Sequence, residues 1–163
     1  MNPITPLSIA ILLGGLSMTG MPNAEEGGQH LQPEQQFGKV LPVTADLGVG
    51  PSMDATVAGN RLYVIGKGKL HIADITQPSG PVLVGELTEL GNTRQIVVKD
   101  TVAYIASRRD GLFLVDVKQP NRPSLLCNYD TVEFATGIAV SGKVAFVACR
   151  TSGVELVDVS DPR

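Results

Sequence analysis

The sequence holds 163 residues, 43% of them apolar, with no Trp, which is enough for one ordinary domain and too little for two sizeable ones. Its 18 Gly and 11 Pro exceed average usage without reaching the compositions of collagen or low-complexity chains, so short strands joined by frequent turns are expected. Thirteen basic against sixteen acidic side chains give a net charge of −3, which leaves no positive field for a phosphate backbone and argues against nucleic acid as a partner.

Residues 1–24 carry no Lys, Arg, Asp or Glu, and within them residues 7–18, LSIAILLGGLSM, form an apolar stretch. Its length matches the central region of an export signal and falls short of the roughly 20 residues that span a bilayer. Small residues ending near Ala24 suit a signal peptidase, although no basic residue precedes the stretch. Residues 1–24 are therefore read as a cleaved signal peptide, with an uncleaved anchor and a mis-started or buried segment as alternatives. Residues 25–39, EEGGQHLQPEQQFGK, are polar and Gln-rich; they bury too little surface to offset chain entropy and are read as a flexible linker.

From residue 57 the chain repeats itself. Residues 57–78 read VAGNRLYVIGKGKLHIADITQP, residues 98–120 VKDTVAYIASRRDGLFLVDVKQP, and residues 140–162 VSGKVAFVACRTSGVELVDVSDP. Asp74, Asp116 and Asp158 stand 42 residues apart, as do Pro78, Pro120 and Pro162. Tyr63, Tyr104 and Phe146 keep nearly the same spacing, which marks them as packing residues between repeats. In the second unit the expected strands are A around 96–98, B around 102–107, C around 112–117 and D around 124–129. Gly59-Asn60, Asp100-Thr101 and Ser141-Gly142 mark the A to B turns, and Gly68, Gly111 and Gly153 the B to C turns. Between C and D, Pro78 to Pro81 and Pro120 to Pro123 remove amide donors where pairing must stop. On strand C both alternate sets are apolar, Leu112 with Leu114 and Phe113 with Val115, so the sheet is expected to be covered on both faces.

A four-stranded repeat of about 40 to 45 residues predicts an all-β fold of β-propeller-type blades packed face to face. With a leading D-like strand at residues 40–47, the strands group as D-A-B-C three times, about three blades' worth, whereas closed propellers hold about 4 to 8. The expectation is the front part of a larger propeller; self-association into a six-blade ring is the alternative. Residues 136–162 resemble the LVIVD repeat of bacterial and archaeal exported or cell-surface proteins, with VELVD at residues 154–158, LFLVD at 112–116 and a more degenerate LHIAD at 70–74. The resemblance covers residues 40–163. It implies a propeller-like scaffold and export to the cell surface, the extracellular space or the periplasm, and is silent about activity. Lys69 stands where later units have Gly111 and Gly153, which leaves the register of the first B to C turn open.

Lys67, Arg108 and Arg150 fall at equivalent places after strand B, with Arg109 adjacent and Arg94 in a D to A loop. Those loops share one face of a propeller, so the five residues form a candidate basic rim for an anionic ligand, although Glu89, Asp110, Asp130 and Glu133 lie among them. Asp74, Asp116 and Asp158 are read as structural caps that accept hydrogen bonds from amides of the A to B turn. No metal site or cofactor is expected, since His30, His71, Cys127 and Cys149 share no cluster. The two cysteines, in strands D and B of neighbouring units, are read as buried free thiols rather than a bridge. The resulting reading is a non-catalytic exported binding or scaffold module for an unknown protein or anionic glycan. The alternative is the N-terminal part of an exported propeller enzyme whose catalytic residues lie outside this chain.

Overall fold

The computed structural model describes residues 42–162; the expected signal peptide and linker lie outside them. Among the described residues there is no helix, and eleven strands form three antiparallel sheets. The first sheet runs β1 (Asp54–Ala58), β2 (Arg61–Gly66), β3 (Lys69–Asp74), β4 (Val82–Leu87), each strand paired with the next. The second runs β5 (Gln95–Lys99), β6 (Val102–Ala106), β7 (Leu112–Asp116), β8 (Ser124–Tyr129), and the third β9 (Ala135–Ser141), β10 (Val144–Cys149), β11 (Gly153–Asp158). These are the all-β, propeller-type blades expected from the repeat.

The repeat extends to local irregularities. The register slips between Ile72 and Ala73 in the first sheet and between Leu114 and Val115 in the second. Each slip lies just before the Pro-x-x-Pro connection, where the Gly80 amide donates to the Gln77 carbonyl and the Arg122 amide to that of Gln119. Proline at the second position of these four-residue turns has its ring-fixed φ preset for the bend.

Successive sheets pack face to face in one recurring way. Tyr63, Ile65, Leu70 and Ile72 leave the first sheet on its trailing face and meet Ile96, Ala103, Ile105, Phe113 and Val115 on the leading face of the second. The trailing face of the second sheet presents the equivalent quartet, Tyr104, Ala106, Leu112 and Leu114, to Ile138, Ala145, Val147 and Cys149 of the third. Both alternate sets of β7 are thereby buried, as the doubly apolar strand requires. Each fully buried Leu or Ile contributes about 1.5–3 kcal/mol of burial free energy.

The first strands of the sheets lie side by side, β5 between β1 and β9. Because each is an edge strand of its own sheet, its outward amides need other acceptors. Asp54 Oδ2 accepts from the Ile96 amide at 2.9 Å, and Gln95 Oε1 from the Ile138 amide at 2.8 Å. Two side chains 41 residues apart thus clip each inner strand to the next.

Three sequence expectations need correction. Residues 42–47 of the leading D-like segment form no strand, because no C strand among the described residues offers them an edge; the described blades run A-B-C-D in chain order, and the third sheet has three strands among the described residues. The third A to B turn is Gly142-Lys143, one residue later than expected, since Ser141 pairs with Val144. Phe146 is not packed like Tyr63 and Tyr104 but is 36% exposed, because among the described residues no further sheet lies against the third.

The B to C turns explain the register slip at Lys69. In the first sheet Lys67 and Gly68 alone connect Gly66 to Lys69, with φ of 47° and 73°, so Gly68 takes the left-handed place that Gly111 and Gly153 take later at 76° and 85°. A Cβ on Gly153 meets nothing within 4 Å, whereas one on Gly111 would overlap the Tyr129 carbonyl oxygen. Gly153→Ala should therefore cost about 1 kcal/mol from backbone strain alone, and Gly111→Ala at least about 2 kcal/mol more. Urea unfolding of the two variants checks the order; equal losses would show that the close approach to Tyr129 carries no energy.

Candidate functional site

The basic residues singled out from the sequence fall on the face formed by the B to C turns and the D to A connections, and three of the five come together. Arg109 and Arg150, on the turns after β6 and β10, both stack over the ring of Phe134, their guanidinium carbons 5.3 and 5.5 Å from its centroid. Phe134 lies in the connection from β8 to β9. Arg108, Phe134, Thr136 and Arg150 line a hollow of about 240 Å³. Beside it, Arg108, Arg109, Phe134, Asn92 and Asp110 line another of about 410 Å³. Arg94 belongs elsewhere: its Nη1 contacts Met53 Sδ at 3.5 Å. Lys67 stands exposed on the first sheet's turn and lines neither hollow.

The backbone that presents these cations is strained in the same way in every repeat. Lys67, Arg108 and Arg150 hold φ of 47°, 29° and 30°, a region glycine enters more readily than any residue with a Cβ. Of the described ion pairs, none involves Arg108, Arg109 or Arg150. The carboxylates beside them hold other donors. Asp110 Oδ2 accepts from the Asn92 amide at 3.0 Å. Glu133 accepts from the Thr151 hydroxyl at 2.8 Å and from the Phe134 amide at 3.1 Å. The Thr151 hydroxyl first, then the Phe134 amide and the Arg150 charge, hold the Glu133 carboxyl below its ordinary range. The hollow is thus a cationic and aromatic surface whose neighbouring acids serve its own loops.

The three repeated aspartates accept hydrogen bonds at one end of each C strand, from a different source than expected. Oδ1 of Asp74, Asp116 and Asp158 accepts from the amides of Thr76, Lys118 and Ser160 at 2.8, 2.8 and 2.9 Å, so each turns its own C to D connection. The A to B turn is reached instead by backbone: the Ile75, Val117 and Val159 amides donate to the carbonyls of Asn60, Thr101 and Lys143. Asp74 alone adds an ion pair across that turn, to Arg61 Nη1 at 2.6 Å. Cys127 on β8 and Cys149 on β10 are unbridged, and burial pushes both thiols up. Among the described residues no group of three His, Cys, Asp or Glu is arranged to hold a metal ion.

Sequence reasoning missed Phe134 and Glu155. Phe134 has no aromatic counterpart in the other D to A connection; an unrepeated aromatic between charged loops was the available signal. Glu155 stands on β11 where the other C strands carry His71 and Phe113, and its charge there was a second signal. It accepts from the Val132 amide at 2.7 Å, the Tyr129 hydroxyl at 3.2 Å and the Cys149 thiol at 3.4 Å, tying the second sheet's outer strand and the Phe134 connection to the third sheet.

The LVIVD repeat family model matches residues 49–89, 90–131 and 134–163, the same three units that form the sheets. The chain belongs to the LVIVD repeat family. Among solved structures it is similar to the computationally designed Ika4 protein, with a TM-score of 0.62 at 10% identity over 76% of this chain and 77% of that one. It is also similar to the designed Ika8 protein, with a TM-score of 0.57 at 10% identity over 69% of this chain. It spans about a third of the Ika8 chain (34%). These likenesses concern the LVIVD repeat scaffold alone. No curated protein matches the sequence significantly.

Asp74 and Asp158 should make the LVIVD scaffold acid-sensitive. Hydrogen bonds from the Thr76 hydroxyl and amide, with Arg61 adding less, lower the Asp74 pKa; the Ser160 amide and hydroxyl, then Lys143, lower that of Asp158. A carboxyl whose folded pKa is depressed contributes stability that is fully present above its ordinary value of about 4 and is lost as pH falls through the folded value. Melting temperature should therefore fall below about pH 4. Asp74→Asn and Asp158→Asn keep an oxygen acceptor without the charge, and should flatten that acid limb. Unchanged slopes in both would assign the acid sensitivity to other groups.

Proposed function

We propose that this protein is an exported, non-catalytic binding module whose ligand is an anionic glycan, held at the hollow of Arg108, Arg109, Arg150 and Phe134. The observation that carries the reading is that Arg109 and Arg150, from two repeats, lie over one aromatic ring while Arg108 lines both hollows beside it, with no ion pair to any of the three among the described residues. Guanidinium groups recognise carboxylates through paired, charge-assisted hydrogen bonds, and stacking on an aromatic face fixes their planes before a ligand arrives. The hollows are open and on loops, where a module whose strands are committed to packing keeps its contacts. Asp110 and Glu133 are already engaged by donors of the surrounding loops, the Asn92 amide and the Thr151 hydroxyl, which favours binding over acid-base chemistry at this place. Export rests on the apolar residues 7–18 and on the family resemblance; sequencing the N-terminus of protein recovered from periplasm or medium should find a start near Glu25, and a start at Met1 would argue for an anchor.

The binding reading is tested with a tetragalacturonate probe by titration calorimetry. Loss of a charge-assisted contact is worth about 1.5–3 kcal/mol, so Arg150→Gly should weaken binding by about 10- to 100-fold. The same variant relieves a left-handed backbone, so its unfolding free energy should change by less than about 1 kcal/mol. Equal binding of parent and variant, or equal binding of a neutral glucan, would overturn the proposal.

A further inference from the structure

The two hollows around Phe134 share a wall but differ in charge. Arg108 and Phe134 line both. The smaller, of about 240 Å³, is completed by Arg150 and Thr136, so two guanidinium groups face it and no carboxylate lines it. Glu133 stands near, but its carboxylate accepts from the Thr151 hydroxyl and the Phe134 amide. The larger, of about 410 Å³, is completed by Arg109, Asn92 and Asp110, which sets a carboxylate and an amide beside its two cations.

Asp110 is a fixed part of the larger hollow. Its backbone amide donates to the Ser107 carbonyl at 2.7 Å, and its backbone carbonyl accepts from the Asn128 side-chain amide at 3.0 Å. Its carboxylate accepts from the Asn92 backbone amide at 3.0 Å. That carboxylate also lies so close to Gly91 that a Cβ there would overlap Oδ2. Held in this way, it cannot swing aside for a ligand of the same sign.

The difference decides what each hollow takes. An ionised carboxylate can only accept, so hydroxyl and amide donors suit it, whereas a second carboxylate brought beside it is repelled. The Asn92 side chain, exposed at the same place, offers both a donor and an acceptor. Neighbouring hydroxyls of an uncharged sugar match this pair. The smaller hollow instead presents charged donors without a competing acid, which is the setting for a carboxylate.

We propose that the hollows are adjoining subsites for two consecutive sugars of unlike charge: a uronate between Arg108 and Arg150, and an uncharged hexose or N-acetylhexosamine beside Asp110 and Asn92. The ligand class is then a glycan in which acidic and neutral sugars alternate, rather than a uniformly acidic one. This ordering of charge rests on the anionic-glycan reading above.

The test is titration calorimetry with two probes, tetragalacturonate, which is acidic at every sugar, and a tetrasaccharide of alternating glucuronate and N-acetylglucosamine. The parent should bind the alternating probe more tightly. Because the probes also differ in stereochemistry, the deciding quantity is how the ratio of their affinities moves between variants. Asp110→Asn keeps an oxygen acceptor for the Asn92 amide but loses the charge, and should move the ratio about 10-fold toward tetragalacturonate. That shift should shrink as salt is added. Asn92→Asp leaves the backbone amide in place and adds a carboxylate, so it should move the ratio the other way; it carries the test even if Asp110→Asn fails to fold. A ratio unmoved in both variants, or a parent that prefers tetragalacturonate, would overturn the ordering. The binding reading itself would survive that result wherever Arg150→Gly weakens both probes. If neither probe binds the parent, or Arg150→Gly binds both as the parent does, the reading and the ordering fall together.

Discussion

Sheet-on-sheet packing at a fixed 42-residue interval is the constraint on which the rest of this protein depends. A four-stranded sheet cannot be stable in water with two apolar faces, yet these strands are apolar on both, so each sheet requires a neighbour on either side. The junction between first and second sheets and that between second and third use the same positions, with Tyr63 and Tyr104 at equivalent places. That sameness turns a chain of hairpins into an arc. The hydrogen bonds that Asp54 and Gln95 accept from the next inner strand act beside it: they satisfy edge amides at the point where the sheets converge, and they fix which residue faces which.

Because packing consumes both faces of the middle sheet, chemistry is left to the turns, and the turns are repeated as faithfully as the strands. One family of turns is spent on structure, with Asp74, Asp116 and Asp158 each holding the amide two residues on. The opposite family carries Lys67, Arg108 and Arg150 in left-handed conformations. A repeat that places a cation at one strained position in three successive blades, then gathers those of two blades around Phe134, has concentrated positive charge on one face of a protein whose net charge is negative.

Features set by the period were legible in the sequence, and features set by what breaks the period were not. The start of β8 (Ser124–Tyr129) follows from Pro123 and the apolar run after it, and the two-faced burial of β7 from the doubly apolar Leu112 to Val115, since strand burial is written in alternation. The grouping of strands into blades was misread, because a D-like pattern at residues 40–47 says that a segment can pair and not whether an edge is there to receive it. Phe146 was misread for the same reason: its spacing announces a packing role, but packing needs a second surface. Within the site, the arginines were visible as a repeated position. Phe134 was not, since its role comes from the close approach of two loops 42 residues apart, which no local pattern records.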